Sequence, residues 1–201
     1  MSRTTLHYNF LVLSLVTGFL LNWHPSGAVA PAGGALPDLA SFSQSVQNGQ
    51  ADVLRGVYVP GVLALPVVQQ PVDRPYYVSP QEGEATQFSV ASRYGNIGLL
   101  AHNTLSGRYF SQLGMGQKVL LIYGDGREEG FVVTQILRFQ ALQPESVTST
   151  FRNLDKDEVL TAGDMFNRAY AGKRHLVFQT CIDAGGNASW GRLFVLAVPV
   201  E

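Results

Sequence analysis

Residues 175–198 read HLVFQTCIDAGGNASWGRLFVLAV, two apolar segments separated by a glycine-rich stretch. The first segment, His175–Thr180, and the second, Arg192–Val198, have the apolar content typical of strands. Gly185 and Gly186 between them allow the chain to double back. We therefore predict a hairpin of neighbouring strands, with Cys181 at the end of the first and Arg192 at the start of the second.

Short segments rich in Val, Tyr and Leu recur along the rest of the chain, separated by Pro and Gly. Such segments are typical of strands, and we predict further strands at 53–59, 62–68, 76–78, 88–91, 97–101, 119–123 and 130–139. Helices are expected at 39–46 and 161–172, the second because Thr161 and Asp164 can cap its start. The chain is therefore predicted to be mainly β, with one or two short helices.

The composition indicates one folded domain and argues against a nucleic-acid partner. Of the 201 residues, 46% are hydrophobic and 14% are charged, which suits a chain with a buried core. The 14 Lys and Arg nearly balance the 15 Asp and Glu. No excess positive charge is therefore present to bind a phosphate backbone, and we expect no nucleic-acid partner.

The start of the chain has the pattern of an export signal. Arg3 precedes an apolar run at 10–21, and Ala28-Val29-Ala30 offers the small residues that a signal peptidase accepts. Pro31 would follow the cut, and the uncharged flank could lengthen the apolar run into a membrane anchor. Both a cleaved signal peptide and a retained anchor stay open, and either one places the following chain outside the cytoplasm.

Three regions follow from this pattern. Residues 1–30 are predicted to be the signal peptide or N-terminal anchor. Residues 31–50 are predicted to be a linker, because they begin with a stretch of Pro, Gly and Ala. Residues 51–201 are predicted to form the extracytoplasmic domain.

Cys181 is the single cysteine of this exported chain, although exported domains commonly use cysteines in disulfide pairs. Such a thiol is either buried and inert or reactive. A reactive cysteine attacks as the thiolate, so a base or a positive neighbour is expected beside it. The residues around Cys181 therefore decide between the two interpretations.

His102 is the candidate base. Two of the four histidines lie in the export segment. His175 precedes Cys181 by six residues on one predicted strand, which separates them by roughly 20 Å. We expect His175 to be a solvent-facing or edge residue. His102 ends the predicted strand 97–101, where it is either the partner of Cys181 or a surface histidine.

Arg192 is the candidate positive group. The predicted hairpin brings it near Cys181, where a guanidinium could stabilise a developing oxyanion. An arginine that simply begins an edge strand is the alternative. No Cys and His spacing in the sequence suits a zinc site.

Four segments resemble the sortase family of cysteine transpeptidases. VFQTC at 177–181 is similar to the family's strand that ends in Thr-Cys, and RLFVLA at 192–197 to its arginine-led closing strand. GNIGLLAH at 95–102 is similar to the segment that presents the family's histidine, and VYVPGV at 57–62 to its opening strand. The resemblance covers roughly 53–198.

Three positions depart from the family's pattern. Val177 stands where Thr is usual, Asn103 follows the histidine where many members have Arg, and Gln117 replaces a usual acidic residue. These departures leave the subgroup and its substrate motif open.

The resemblance implies a closed β-barrel of about eight strands. It implies Cys181 as nucleophile, His102 as acid and base, and Arg192 as the positive group that stabilises the transition state. The substrate would be a protein with a C-terminal Leu-Pro-x-Thr-Gly-like sorting signal, cleaved after Thr through a thioacyl-enzyme and passed to an amine of the cell envelope or of a pilin.

The resemblance also implies substrate contacts and cofactor needs. Thr180 and Trp190 would contact the substrate, Trp190 from a loop at 182–191, although Trp190 could equally have a packing role. No metal or organic cofactor is required, and calcium, which some sortases bind, cannot be inferred from this sequence.

Two other functions remain open. A hydrolase would use water in place of the amine at the same site. A secreted β-barrel that binds a peptide or glycan would keep Cys181 buried and inert. A papain-like peptidase is excluded because no histidine follows Cys181, and an L,D-transpeptidase because Ser-His-Gly does not precede it.

Overall fold

The computed structural model describes residues 36–146 and 148–200 of the chain. This part contains ten strands and four short helices, joined by turns and loops. The strands are β1 Leu54–Val59, β2 Leu63–Gln69, β3 Ala85–Gln87, β4 Ile97–Leu100, β5 Lys118–Tyr123, β6 Glu128–Ala141, β7 Phe151–Asn153, β8 Val159–Leu160, β9 Leu176–Ala184 and β10 Asn187–Pro199. The helices are α1 Leu39–Val46, α2 Ser89–Ser92, α3 Gly107–Phe110 and α4 Ala162–Tyr170.

Eight of the strands close into a barrel. They follow the order β10-β9-β4-β3-β2-β1-β5-β6, and β6 pairs with β10 to complete the ring. β7 and β8 extend the sheet beyond β6. The pairs β2–β3 and β4–β9 are parallel. The predicted mainly β barrel of about eight strands is confirmed, whereas the described residues contain four short helices rather than one or two.

Two hydrophobic clusters lie on opposite faces of the sheet at β9 and β10. Side chains alternate between faces along a strand, so Phe178 and Val195 pack inside the barrel. Val177 and Phe194 point outward and pack against α4. This alternation gives the hairpin an inner face filled by the core and an outer face that α4 covers in part.

Helix α4 begins where the sequence predicts and ends two residues before the predicted Gly172. The Thr161 side chain accepts a hydrogen bond from the Asp164 amide at 3.1 Å, which caps the first turn. Met165, Phe166 and Tyr170 form its buried face. The helix stops at Tyr170, two residues before Gly172, whose φ of 113° an L side chain rarely adopts.

Two predicted strands are wrong and three strands were missed. Residues 76–78 form no strand, and most of 88–91 belongs to helix α2, where Ala91 packs into the outer cluster. Apolar runs this short do not distinguish a strand from a helical turn. β3, β7 and β8 have two or three residues each, too few for a recognisable alternation.

Helix α1 has the predicted bounds, but it belongs to the folded domain rather than to a linker. Phe42 and Val46 pack on Tyr58 and Ile122 of the barrel. A Cβ added at Gly56 would lie 3.0–3.2 Å from these two α1 side chains, so β1 and α1 approach closely. The predicted linker 31–50 is therefore corrected for its described part. Because α1 packs against the barrel, the folded domain begins before residue 51.

The predicted signal or anchor, residues 1–30, lies outside the described residues. Among the helices of the described part, none has the length and apolar content to cross a bilayer.

Candidate active site

Three neighbouring strands place the candidate residues side by side. Cys181 on β9 pairs directly with Arg192 on β10. On the other side of β9 lies β4 in parallel, and the Ala101 amide that follows β4 donates to the Gln179 carbonyl at 3.3 Å. His102 lies two residues past the end of β4, where continuation of the same parallel register leads toward Cys181. Cys181 and Arg192 are thus direct neighbours across the sheet, and β4 leads His102 to the same end of β9.

The three side chains share the outer face of the barrel. Ala101 and Leu193, each next to a candidate residue, belong to the interior cluster. Because successive side chains alternate along a strand, Arg192 points to the other face, and His102 follows Ala101 just beyond the end of β4. Cys181 lies on that face too and is partly exposed. A substrate can therefore approach the thiol between the histidine and the arginine.

Asn96, just before β4, ties that strand to α4 and to the start of β9. Its side-chain amide donates to the Tyr170 carbonyl at 2.6 Å, and its oxygen accepts from the His175 amide at 2.7 Å. The His175 ring nitrogens lie 2.7 Å and 2.8 Å from the carbonyls of Lys173 and Ala169. The expectation that His175 faces solvent is wrong, because these contacts leave it only 7% exposed.

Thr180 positions the His102 segment from inside the barrel. Its hydroxyl donates to the Ala101 carbonyl at 2.8 Å, and the residue is 4% exposed. Gly107 of α3 packs so closely here that an added Cβ would lie 2.3 Å from that hydroxyl and 2.7 Å from the His102 carbonyl. The predicted substrate contact of Thr180 is therefore corrected, since its side chain is buried and already hydrogen-bonded.

Asn103 adds a second link that the sequence did not reveal. Its side-chain amide donates to the Ala188 carbonyl at 3.0 Å, which joins the His102 segment to the hairpin of β9 and β10. The sequence marks Asn103 only as a departure from the sortase pattern. Its position directly after a candidate catalytic residue was the available signal.

The loop predicted at 182–191 is shorter in the structure. β9 continues to Ala184 and β10 begins at Asn187, so two glycines make the turn. The register of the pairing shifts between Asn187 and Gly191, the stretch that contains Trp190. Trp190 is partly exposed, and its contact with a substrate stays a prediction.

Arg192 is buried and held by its own hairpin. It is 4% exposed, and its Nη1 donates to the carbonyls of Ser189 at 3.0 Å and Gly191 at 2.8 Å. The guanidinium carbon lies 6.0 Å from the centre of the Phe151 ring. These contacts fix the orientation of a positive group beside Cys181, which an oxyanion-stabilising role requires.

His102 lies in a partly buried setting that disfavours its charged form. Removal from water lowers the pKa of the ring below its usual 6.5, and a hydrogen bond with the backbone of Val78 opposes that effect. The neutral ring therefore predominates at neutral pH, so His102 can accept a proton there.

We expect the His102 ring to titrate below pH 6.5 in the Cys181→Ala variant, which removes coupling to the thiol. The stability that the neutral ring contributes is complete above about pH 6.5 and is lost as the pH falls through the lower folded pKa. NMR titration of the ring measures this value. A midpoint at or above 6.5 would contradict the expectation.

No metal-binding arrangement occurs in the described part of the chain. Within 36–146 and 148–200, no three His, Cys, Asp or Glu side chains come together in a way that could hold an ion. Two points stay predictions: that the reaction needs no cofactor, and that calcium binding is possible.

A separate cavity of about 680 Å³ lies on the other face of the same hairpin. Its lining includes Phe110, Leu113, Ile182 and Leu193. Ile182 and Leu193 are sequence neighbours of Cys181 and Arg192 and alternate with them. This apolar cavity is therefore distinct from the candidate active site.

The comparisons with known proteins are informative at the level of structure. No protein-family model matches the sequence, and no curated protein matches it. Sortase C1 from Streptococcus suis has a TM-score of 0.50 at 13% identity, over 81% of this chain and 79% of that chain. Sortase C-1 from Actinomyces oris has a TM-score of 0.49 at 14% identity, over 83% of each chain.

Sortase A from Listeria monocytogenes is also similar, with a TM-score of 0.48 at 13% identity over 74% of this chain and 88% of that chain. At identities this low, the similarity concerns the fold alone. Of these three structures, the one from Streptococcus suis has the TM-score on which a common fold can be argued. With its closed eight-stranded barrel, this chain has the fold of the sortases.

Proposed function

We propose that this chain is an extracytoplasmic cysteine transpeptidase of the sortase type. A fold by itself does not specify a reaction. The observation that supports the proposal is the direct pairing of partly exposed Cys181 on β9 with the fixed guanidinium of Arg192 on β10, beside the parallel strand β4 that leads to His102.

The first step forms a thioester. Neutral His102 takes the proton of the Cys181 thiol, and the resulting thiolate attacks the carbonyl carbon of the amide that follows Thr in a Leu-Pro-x-Thr-Gly-like sorting signal. The carbonyl oxygen becomes negative in the tetrahedral intermediate, and Arg192 stabilises that charge. The C–N bond then breaks, and protonated His102 gives its proton to the departing amine.

The second step transfers the acyl group. An incoming amine loses a proton to neutral His102 as it attacks the thioester carbonyl. The C–S bond breaks and Cys181 returns as the thiolate, with His102 protonated again. The net reaction exchanges one amide bond for another and needs no external oxidant or cofactor.

The substrates and surroundings belong to the same proposal. Proteins that end in a sorting signal would provide the acyl group, and an amine of the cell envelope or of a pilin would accept it. The pattern at 1–30 would export the domain and, if it is not cleaved, anchor it to the membrane.

Hydrolysis is the second candidate, because the partly exposed Cys181 is also open to water. The binding-module alternative expected a buried, inert thiol, and the partial exposure of Cys181 disfavours it.

The test is mass spectrometry of the full chain after incubation with a library of Leu-Pro-x-Thr-Gly-type peptides, with and without amine acceptors. We expect an acyl adduct on Cys181 and a transferred product when an amine is present. Cleavage that the amine does not divert would favour the hydrolase. If no peptide reacts while a thiol reagent labels Cys181, the transpeptidase proposal is wrong.

Replacing Arg192 with lysine should lower kcat for peptide transfer by about a hundredfold. Lysine keeps the positive charge but cannot bind two carbonyls and an oxyanion with one planar group. The matched control is Arg138→Lys, since Arg138 is exposed and pairs with Asp155. Equal kcat values for the two variants would argue against the role of Arg192.

A further inference from the structure

The outer face of β9 becomes accessible to solvent just before Cys181. Val177, Gln179 and Cys181 alternate with side chains of the barrel interior, so all three point to this face. Val177 is buried in the outer cluster, whereas Gln179 and Cys181 are partly exposed. The cover that α4 provides therefore ends at Gln179, and an accessible surface leads from Gln179 to the thiol.

Tyr170, the last residue of α4, binds the Gln179 side chain. Its hydroxyl donates to Gln179 Oε1 at 2.7 Å. The Tyr170 ring is fully buried, with its centre 4.8 Å from that of Phe166 and 5.4 Å from that of Phe88. It also lies 6.2 Å from the ring centre of Phe194, the partner of Gln179 on β10. Packing against three rings thus fixes the hydroxyl beside β9.

This hydrogen bond decides which end of the Gln179 amide faces solvent. Burial raises the pKa of Tyr170, so the hydroxyl keeps its proton and needs an acceptor. The reversed amide would leave that buried proton without an acceptor in the described part of the chain, which is costly. Oε1 therefore faces Tyr170, and the two N–H groups of Nε2 face away from it.

The Gln179 amide nitrogen is open to a ligand. Within 36–146 and 148–200 no group accepts a hydrogen bond from Nε2. Arg55 Nε is the one buried side-chain nitrogen or oxygen in these residues that lacks a partner, so Nε2 reaches solvent. Gln179 thus presents an oriented donor on the same face as the thiol.

We propose that Gln179 is a substrate-binding residue whose amide nitrogen donates to a backbone carbonyl of the bound peptide, and that Tyr170 is the positioning residue that orients this donor. The inference rests on the proposed function, which brings a peptide to Cys181. Two residues of a strand span roughly 7 Å, and an extended peptide advances by the same amount. Gln179 is therefore level with a carbonyl about two residues from the scissile bond.

The amide suits this role because it offers the peptide donors alone. Tyr170 already occupies Oε1, so the peptide must present an acceptor rather than an N–H group at this level. A donor that is oriented before the peptide arrives also loses less rotamer freedom on binding. The pair therefore selects the direction and register of the peptide backbone.

Three substitutions separate the donor from its orientation. Gln179→Met keeps the length of the side chain and removes the donor. Gln179→Glu keeps an oxygen for Tyr170 and replaces the donor with a second oxygen. Tyr170→Phe keeps the packed ring and releases the amide. All are made in the full chain with Cys181→Ala, which can bind a peptide without cleaving it.

The readout is the Kd of labelled Leu-Pro-x-Thr-Gly-type peptides, measured by fluorescence anisotropy. We expect Gln179→Met to raise Kd about tenfold, the scale of one neutral hydrogen bond, and Gln179→Glu about a hundredfold, because a carboxylate repels the carbonyl. Tyr170→Phe should raise Kd about threefold in the parent and leave it unchanged in Gln179→Met. An equal effect of Tyr170→Phe in both backgrounds would overturn the positioning role.

Two matched controls lie away from the accessible surface. Gln140 follows Phe139 of the outer cluster, so its partly exposed side chain points to the opposite face of the sheet. Tyr58→Phe removes a hydroxyl that donates to the Pro37 carbonyl at 3.2 Å, on the side of the barrel that α1 covers. We expect Gln140→Met and Tyr58→Phe to bind the peptide with the Kd of the parent.

The ¹H–¹⁵N signals of the Gln179 side-chain amide provide a second measurement, since their loss in Gln179→Met assigns them. They should shift when the peptide is added to the parent. The inference is overturned if no peptide of the library shifts these signals, or if Gln179→Met binds as tightly as the parent. A wild type that forms no adduct with peptides that do shift them would refute the proposed function and leave this contact intact.

Discussion

Replacing Cys181 with alanine is expected to lower peptide turnover on the order of 10⁴-fold or more, the scale seen when a covalent nucleophile is removed. No other cysteine exists in the chain to form the thioester. Because Cys181 is partly exposed, alanine should leave the core packing unchanged. Steady-state kinetics with the peptide and amine identified by the library would measure the loss.

Thermal unfolding separates a chemical effect from a structural one. We expect the Tm of Cys181→Ala to match that of the wild type, since the truncated side chain does not belong to the buried clusters. A variant that unfolds normally and still retains more than about a tenth of the wild-type turnover would refute Cys181 as the nucleophile.

Gly107→Ala should lower the free energy of unfolding by about 3 kcal/mol, the combined scale of overpacking and of an unpaired buried polar group. The added methyl would lie 2.3 Å from the Thr180 hydroxyl and 2.7 Å from the Ala101 carbonyl. It would separate two groups that now share a hydrogen bond at 2.8 Å. Urea denaturation followed by circular dichroism measures the change.

Gly114→Ala is the matched control, because no atom lies within 4 Å of its added methyl. We expect it to change the free energy of unfolding by no more than about 0.5 kcal/mol.

Under conditions where Gly107→Ala remains folded, the turnover of that variant should still fall, because the same clash displaces the segment that carries His102. Equal stability of the two variants would show that the contact between α3 and β9 is looser than described.

Local patterns were sufficient for several elements. The apolar run before Cys181 and the closing run from Arg192 predicted β9 and β10, because buried strands need such side chains at adjacent positions. The Thr161 cap predicted α4 for a similar reason, since the donor and acceptor are three residues apart. In each case the signal and the structure lie within one short stretch of chain.

The errors occur where a short segment depends on distant partners. Residues 88–91 have the composition of a strand, but α2 forms because Ala91 and Phe88 pack against α4. Residues 76–78 also look like a strand, yet Gln70 binds the carbonyl of Tyr77 and fixes a turn. The residues assigned to a linker are apolar enough to cover the barrel once β1 and β5 are in place.

The sequence by itself determined the hairpin that pairs Cys181 with Arg192, because only ten residues separate them and Gly185 and Gly186 allow the chain to turn back. The tertiary structure alone decided that His102 joins them. β4 and β9 are 79 residues apart, and their parallel register depends on buried bonds such as the one from Thr180 to Ala101. Such bonds form only when the barrel closes, so no local pattern in the sequence can predict them.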